Sequence, residues 1–198
     1  MRREMRFLFA AGLGACLTYP LAIFAPLPLG LRIVLGLMFG PLLGLGSYGL
    51  LRLIEMEAPS TPARIAAASN AIAGALFTAM LSVQAAAGND HGRDALKVWL
   101  GLDVAWDIYI ALGTALFGVA MLRHPRFGRA YGVTGLAIAA LLFGFNLTTF
   151  PTPPANAGLI DVGPFVGLWY LVITIVAWRS LGWAEEREAR AMLRAQHA

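Results

Sequence analysis

The sequence predicts an all-α, polytopic transmembrane helical bundle of six spans with both termini on the cytoplasmic side. Three observations carry that prediction: a shortage of charge, six apolar stretches of span length, and a one-sided distribution of Lys and Arg. Of the 198 residues, 59% are hydrophobic and 13% charged, and the mean hydropathy is +0.69. A soluble domain carries about 25% charged residues, so a water-soluble fold of this length would lack the material to cover its surface. Hydrocarbon in place of water removes that requirement. One transmembrane domain over 1–183 and a charged cytoplasmic tail over 184–198 follow.

With charges as punctuation, the spans fall at 7–25, 33–51, 65–87, 98–122, 130–150 and 164–183. Each is close to the ~20 residues that cross a ~30 Å core at 1.5 Å per residue. The first two are joined by the short APLPLG and predict an antiparallel hairpin. Arg32 and Arg52 bracket the second. Spans four and five are linked by the basic RHPRFGR. The Pro/Gly-rich PTPPANAGLIDVGP before span six reads as an outer loop or a segment dipping into the membrane. Span six is completed by including Arg179, which can snorkel, and Trp183, an interfacial aromatic, with Pro164 suited to the first turn. The tail AEEREARAMLRAQHA alternates charge at helical spacing and reads as a solvated helix.

Orientation follows from the basic residues. An inside N-terminus puts Arg2, Arg3, Arg6, Arg52, Arg64, Arg123, Arg126, Arg129, Arg179, Arg187, Arg190 and Arg194 on the cytoplasmic side. Only Arg32, Arg93 and Lys97 then lie outside. The net charge of +4 belongs to these flanks, so anionic lipid rather than nucleic acid is its partner. Cys16 is the only cysteine, which excludes an intrachain disulfide and a cysteine metal cluster. FLFAAGLGAC imitates a lipoprotein signal ending at Cys16, but the apolar run continues past it, so a retained first span is expected.

The residues that could carry chemistry are few. Asp103 and Asp107, in GLDVAWDIYIALG, are four apart and share one helical face. Asp107 lies ~13 Å from the start of span four, inside the hydrocarbon, with Asp103 nearer the outer interface. A buried carboxylate there costs several kcal/mol unless hydrated, paired or protonated. The pair therefore predicts a face turned into the bundle or an outward cavity, where it would hold a cation, an amine or a proton. The structural alternative is a carboxylate that only locks helices together by hydrogen bonds. Gln84 and Asn146, near the outer ends of spans three and five, and Asp161 in the outer loop could join it in a polar vestibule. Asn156, His91, Arg93 and Lys97 lie near the same rim.

Trp99, Trp106, Tyr109, Trp169 and Tyr170 gather toward the outer half, as an aromatic belt would. Trp106 could instead line a pocket and hold a cation by its ring face. In span two, Gly36, Gly40 and Gly44 form a four-residue ladder that invites close helix packing, and Pro41 within it predicts a bend. A dimer interface or a flexing gate is the alternative use of that ladder. Asn70 reads as a helix–helix hydrogen-bonding contact. Enzyme signatures are mostly absent, which leaves a membrane enzyme as the minor alternative: the histidines His91, His124 and His197 lie outside the spans, and Ser47 in LGSYG lacks the first glycine of a nucleophile elbow. No cofactor and no metal are expected.

The segment from LDVAWDIYIALGTALFGVAMLRHPRFGR to NLTTFPTPPANAGLIDVGPFVGLWYLV resembles a group of uncharacterised bacterial multi-pass membrane proteins. The resemblance covers about the C-terminal half. It implies a bacterial cytoplasmic (inner) membrane location and carries no activity with it. The expected function is binding or translocation of a small solute, cation or proton through an outward-facing pocket. The alternative is a sensory or accessory subunit that transports nothing. Expected partners are the lipid bilayer, such a solute, and a second copy or another membrane protein.

Overall fold

The computed structural model describes residues 2–87, 93–147 and 162–196. Among them there is no strand. The helices are α1 (Arg2–Phe24), α2 (Leu29–Glu55), α3 (Thr61–Ala87), α4 (Arg93–Met121), α5 (Gly128–Leu147), α6 (Gly163–Arg179) and α7 (Leu181–Gln196). Each helix packs against its sequence neighbour, and α6 returns against α1 to close the bundle.

Five helices are long and apolar enough to cross a bilayer. The sixth candidate is a pair: α6 and α7 qualify only together, bent by 50° at their junction. The helix predicted over 164–183 therefore does not run straight to Trp183. It stops at Arg179, where the Ser180 amide reaches the Ala177 carbonyl three residues back, the Ser180 hydroxyl takes the Val176 carbonyl, and the chain changes direction. The outer surface is what hydrocarbon requires. Only 22–39% of each apolar window is buried, and Phe7, Leu29, Phe165 and Leu168 all stand more than half exposed. Several such helices support a membrane-embedded protein.

Local chemistry explains the ends. Arg32 donates from Nε to the Ala22 carbonyl at 2.8 Å, tying the α1–α2 hairpin at a helix C-terminus that favours a cation. The Ser60 hydroxyl accepts the Ala63 amide at 3.3 Å and so caps α3. Between α4 and α5, Gly128 adopts a φ of +74°, which a residue with a Cβ rarely does, while its amide reaches the His124 carbonyl at 2.8 Å.

The helices approach closely where neither side has a Cβ. Gly12 of α1 faces Gly46 of α2, Gly40 of α2 faces Gly74 of α3, and Gly118 of α4 faces Gly132 of α5. The other members of the span-two ladder also look toward α3, Gly36 against Leu81 and Gly44 against Ala71.

The bundle end that gathers the N-terminus of α1 and the C-terminus of α2 is laced by ion pairs. Arg2 meets Glu185 at 3.0 Å, Arg64 meets Glu55 at 2.6 Å, and Arg187 pairs with Glu57. The tail is therefore docked as α7, with Leu181 and Ala184 buried, rather than solvated throughout. His124 is buried at this end between Phe127 and Trp183, with ring centroids 5.2 and 5.4 Å away. Its Nδ1 accepts the Arg126 amide at 3.2 Å. Burial lowers the His124 pKa below its ordinary value. Arg126 and Arg187 act in the same direction, and the Leu53 carbonyl and Glu57 pull against them.

Candidate binding cavity

A cavity of about 220 Å³ lies in the half of the bundle away from that ion-paired end. Five helices wall it: α1 through Cys16, Tyr19 and Pro20, α2 through Phe39 and Leu43, α4 through Trp106, Asp107 and Ile110, α5 through Leu142, and α6 from Gly163 to Leu171. Among the described residues the wall is overwhelmingly apolar, and Asp107 is the only carboxylate that lines it.

Three of the four aromatic residues of the wall belong to one cluster, and the fourth is Tyr170. Tyr19, Phe39 and Trp106 come from three helices, and Phe77 of α3 backs them. Phe39 stands 4.7 Å from Phe77 and 5.4 Å from Trp106, and Tyr19 is 5.6 Å from Phe39 and 5.4 Å from Phe77. All the ring pairs are tilted or edge-on, the arrangement that aromatic quadrupoles favour. Trp106 is fixed in this cluster by two neighbours, Phe39 and Phe77. Pro20, inside α1, removes the donor that would reach the Cys16 carbonyl at the cavity wall.

The cavity floor rests on a buried polar network. The Asn70 amide donates to Ser47 Oγ and to the Tyr170 hydroxyl, both at 2.8 Å. The Thr114 hydroxyl lies 3.3 Å from the same Tyr170 oxygen and 2.7 Å from the Ile110 carbonyl. Asn70, Ser47, Thr114 and Tyr170 are all buried, so the phenol joins α3, α4 and α6, and Asn70 extends the network to Ser47 of α2. Gly113 makes room for Asn70, whose Oδ1 would lie 1.9 Å from a Cβ there.

Of the residues singled out in the sequence, the structure brings Trp106 and Asp107 into one wall. Asp103, one turn away, and Gln84 of α3 are both half-buried, and neither lines the cavity. Asp103 and Asp107 are each engaged by other groups of the protein. Asn146 sits in the last turn of α5 with its side chain outside the described set, and Asp161 lies outside the described residues, as do Asn156 and His91. Trp169 and Tyr170 do not belong to a belt. Trp169 is buried against Gly135 and donates to the Tyr131 carbonyl at 3.1 Å. Among the described residues, no three of His, Cys, Asp and Glu gather as metal ligands.

Sequence reasoning missed Tyr19, Phe39 and Phe77, because nothing in their spacing announces that separate helices bring them together. It also missed that Tyr170 joins Asn70. An intramembrane Asn needs a partner, and a Tyr at similar depth is the signal that could have suggested one. Comparison with known proteins brings no further constraint: no family model, curated protein or solved structure matches the chain significantly.

Proposed function

We propose that this is a six-span protein of the bacterial cytoplasmic membrane, with both termini inside, which binds a small organic cation in the cavity at Asp107. One observation carries the reading: among the described residues, Asp107 is the one carboxylate in a mostly apolar wall that presents Tyr19, Phe39 and Trp106. An acid placed in a hydrocarbon-embedded bundle is costly and is retained where it has a task. Aromatic faces attract a cation by about 0.5–2 kcal/mol each, most strongly where water is excluded. A carboxylate has about four acceptor sites, so groups of the protein that engage it leave capacity for a ligand. The volume is below the ~300–1,000 Å³ of drug-sized sites, which suits an ammonium or amine head. The arrangement suits a metal ion poorly, since it offers one carboxylate where such ions take several oxygen ligands.

The test is binding of tetramethylammonium to the protein in lipid nanodiscs, by calorimetry. Asp107→Asn should weaken binding at least tenfold, about 1.4 kcal/mol, and Trp106→Leu by a smaller factor. If the wild-type protein takes up no such cation, or if Asp107→Asn binds as well, the reading fails. The alternative, a sensory or accessory subunit with a purely architectural aspartate, would then stand.

A further inference from the structure

The wall of the cavity is not equally sheltered on all sides. The lining residues from α2 and α5, Phe39, Leu43 and Leu142, are buried, as is Ile110 of α4. The exposed ones are Pro20 on α1 and Pro164, Gly167 and Leu168 on α6. The opening therefore lies in the seam between α1 and α6, on the outer face of the bundle. Leu17 and Leu21 of α1 and Phe165 of α6 are also exposed and apolar, so both helices present hydrocarbon-compatible side chains at this level. Leu168 is about 7 Å along α6 from Gly163, a depth that belongs to hydrocarbon. Gly167 sharpens the point. A glycine within a helix costs about 0.5–1 kcal/mol relative to alanine, yet a Cβ at Gly167 would meet no atom within 4 Å. Close packing therefore does not account for this glycine, and the wall is open at its position.

We infer that the cavity opens sideways into the bilayer between α1 and α6, and that its occupant is a lipid-dissolved amphiphilic cation. The ammonium head sits at Asp107, and the tail leaves past Gly167 and Leu168 into the hydrocarbon. The charge of the head rests on the function proposed above, whereas the mouth rests on exposure alone.

Cys16 is the sole cysteine and lines the cavity, so the unaltered protein reports on both parts. In nanodiscs, Cys16 is exposed either to a maleimide carried on a long acyl chain, confined to the bilayer, or to a sulfonated maleimide in water. Each rate is referred to that for the denatured chain. The acyl-chain reagent should react at least tenfold faster than the sulfonated one, and Gly167→Phe should slow it at least tenfold. Leu168→Trp is the second blocking variant, should the first not fold. Equal or faster reaction with the sulfonated reagent, or no reaction with either, overturns the lateral mouth. Dodecyltrimethylammonium should protect Cys16 in the wild type and not in Asp107→Asn, and dodecanol should protect neither. Equal protection by dodecanol overturns the cationic occupant and leaves the mouth standing. Intact tetramethylammonium binding with no labelling from the bilayer overturns lateral entry and leaves the cation site standing.

Discussion

The glycine ladder of α2 permits a prediction that separates three residues the sequence presents as equivalent. Gly36, Gly40 and Gly44 lie four apart and all face α3, but what a methyl group would meet differs at each. At Gly40 a Cβ would stand 2.3 Å from the Gly74 carbonyl oxygen and 2.5 Å from Thr78 Oγ1. Two backbones would have to separate by about 0.7 Å to restore even a 3.0 Å contact, and the loss would spread along the α2–α3 interface. Overpacking of this kind costs about 1–3 kcal/mol or more, against an intrinsic gain in helix propensity of at most ~1 kcal/mol. Gly40→Ala should therefore destabilise by about 1–2 kcal/mol net. At Gly44 the nearest atom is the Ala71 Cβ at 3.9 Å, an ordinary contact, so Gly44→Ala should be neutral or stabilising by up to ~1 kcal/mol. Gly36 falls between, because the obstacle at 2.5 Å is the end of the Leu81 side chain, which can rotate away. Reversible unfolding in bicelles by steric trapping measures all three. Equal free energies for the three variants, or a harmless Gly40→Ala, would refute the inference that Gly40 is the crossing point.

Two further predictions concern the buried polar groups. Tyr170→Phe deletes the oxygen that Asn70 and Thr114 share; with membrane hydrogen bonds averaging ~0.6 and reaching ~1.7 kcal/mol, it should cost about 1–2 kcal/mol in the same unfolding measurement, and a neutral result would show that the network does not hold α6. His124 has a folded pKa below its ordinary value, so its contribution to stability is fully present above pH ~6.5 and is lost as the pH falls below that, the folded state being slower to take the proton. Melting temperature should accordingly drop between pH 7.5 and 5.5 more steeply in the wild type than in His124→Phe, which keeps the ring contacts with Phe127 and Trp183; identical slopes would remove His124 from the pH response.

Much of the architecture was legible because hydrocarbon imposes a simple rule. Arg32 and Arg52 mark off α2, Pro26 and Pro28 break the chain between α1 and α2, and the basic RHPRFGR separates α4 from α5. The ends were less legible. Helices α2 and α3 extend four residues beyond the predicted apolar run at their N-termini, because a helix does not stop where the hydrocarbon does. The break at Ser180 falls inside the predicted apolar run, so hydropathy does not register it. The depth argument reached Asp107 because one acid in an apolar run is conspicuous. Tyr170 was passed over because an aromatic near the outer half looks the same in sequence whether it faces lipid headgroups or Asn70. Gly12, Gly46, Gly74, Gly118 and Gly132 meet in pairs across helices, and no spacing within one helix specifies such a partner.

The two halves of the bundle do different physical work. A sealed empty void of 220 Å³ would cost about 5 kcal/mol at ~24 cal/mol per Å³. A mouth on the bilayer lowers that cost, since acyl chains can enter where water would not. The remaining penalty is borne because the other parts of the helices are drawn together at Gly12–Gly46 and Gly118–Gly132 and tied by the ion pairs of α7. Tyr170 stands at the border, since its ring lines the cavity while its hydroxyl is held by Asn70 and Thr114. A side chain fixed in that way cannot collapse into the space beside it, so the cavity floor is formed before any ligand arrives. Preorganisation of this kind reduces the ordering cost of binding, and it gives a buried Asn–Tyr–Thr–Ser cluster a bearing on ligand affinity without touching the ligand's charge.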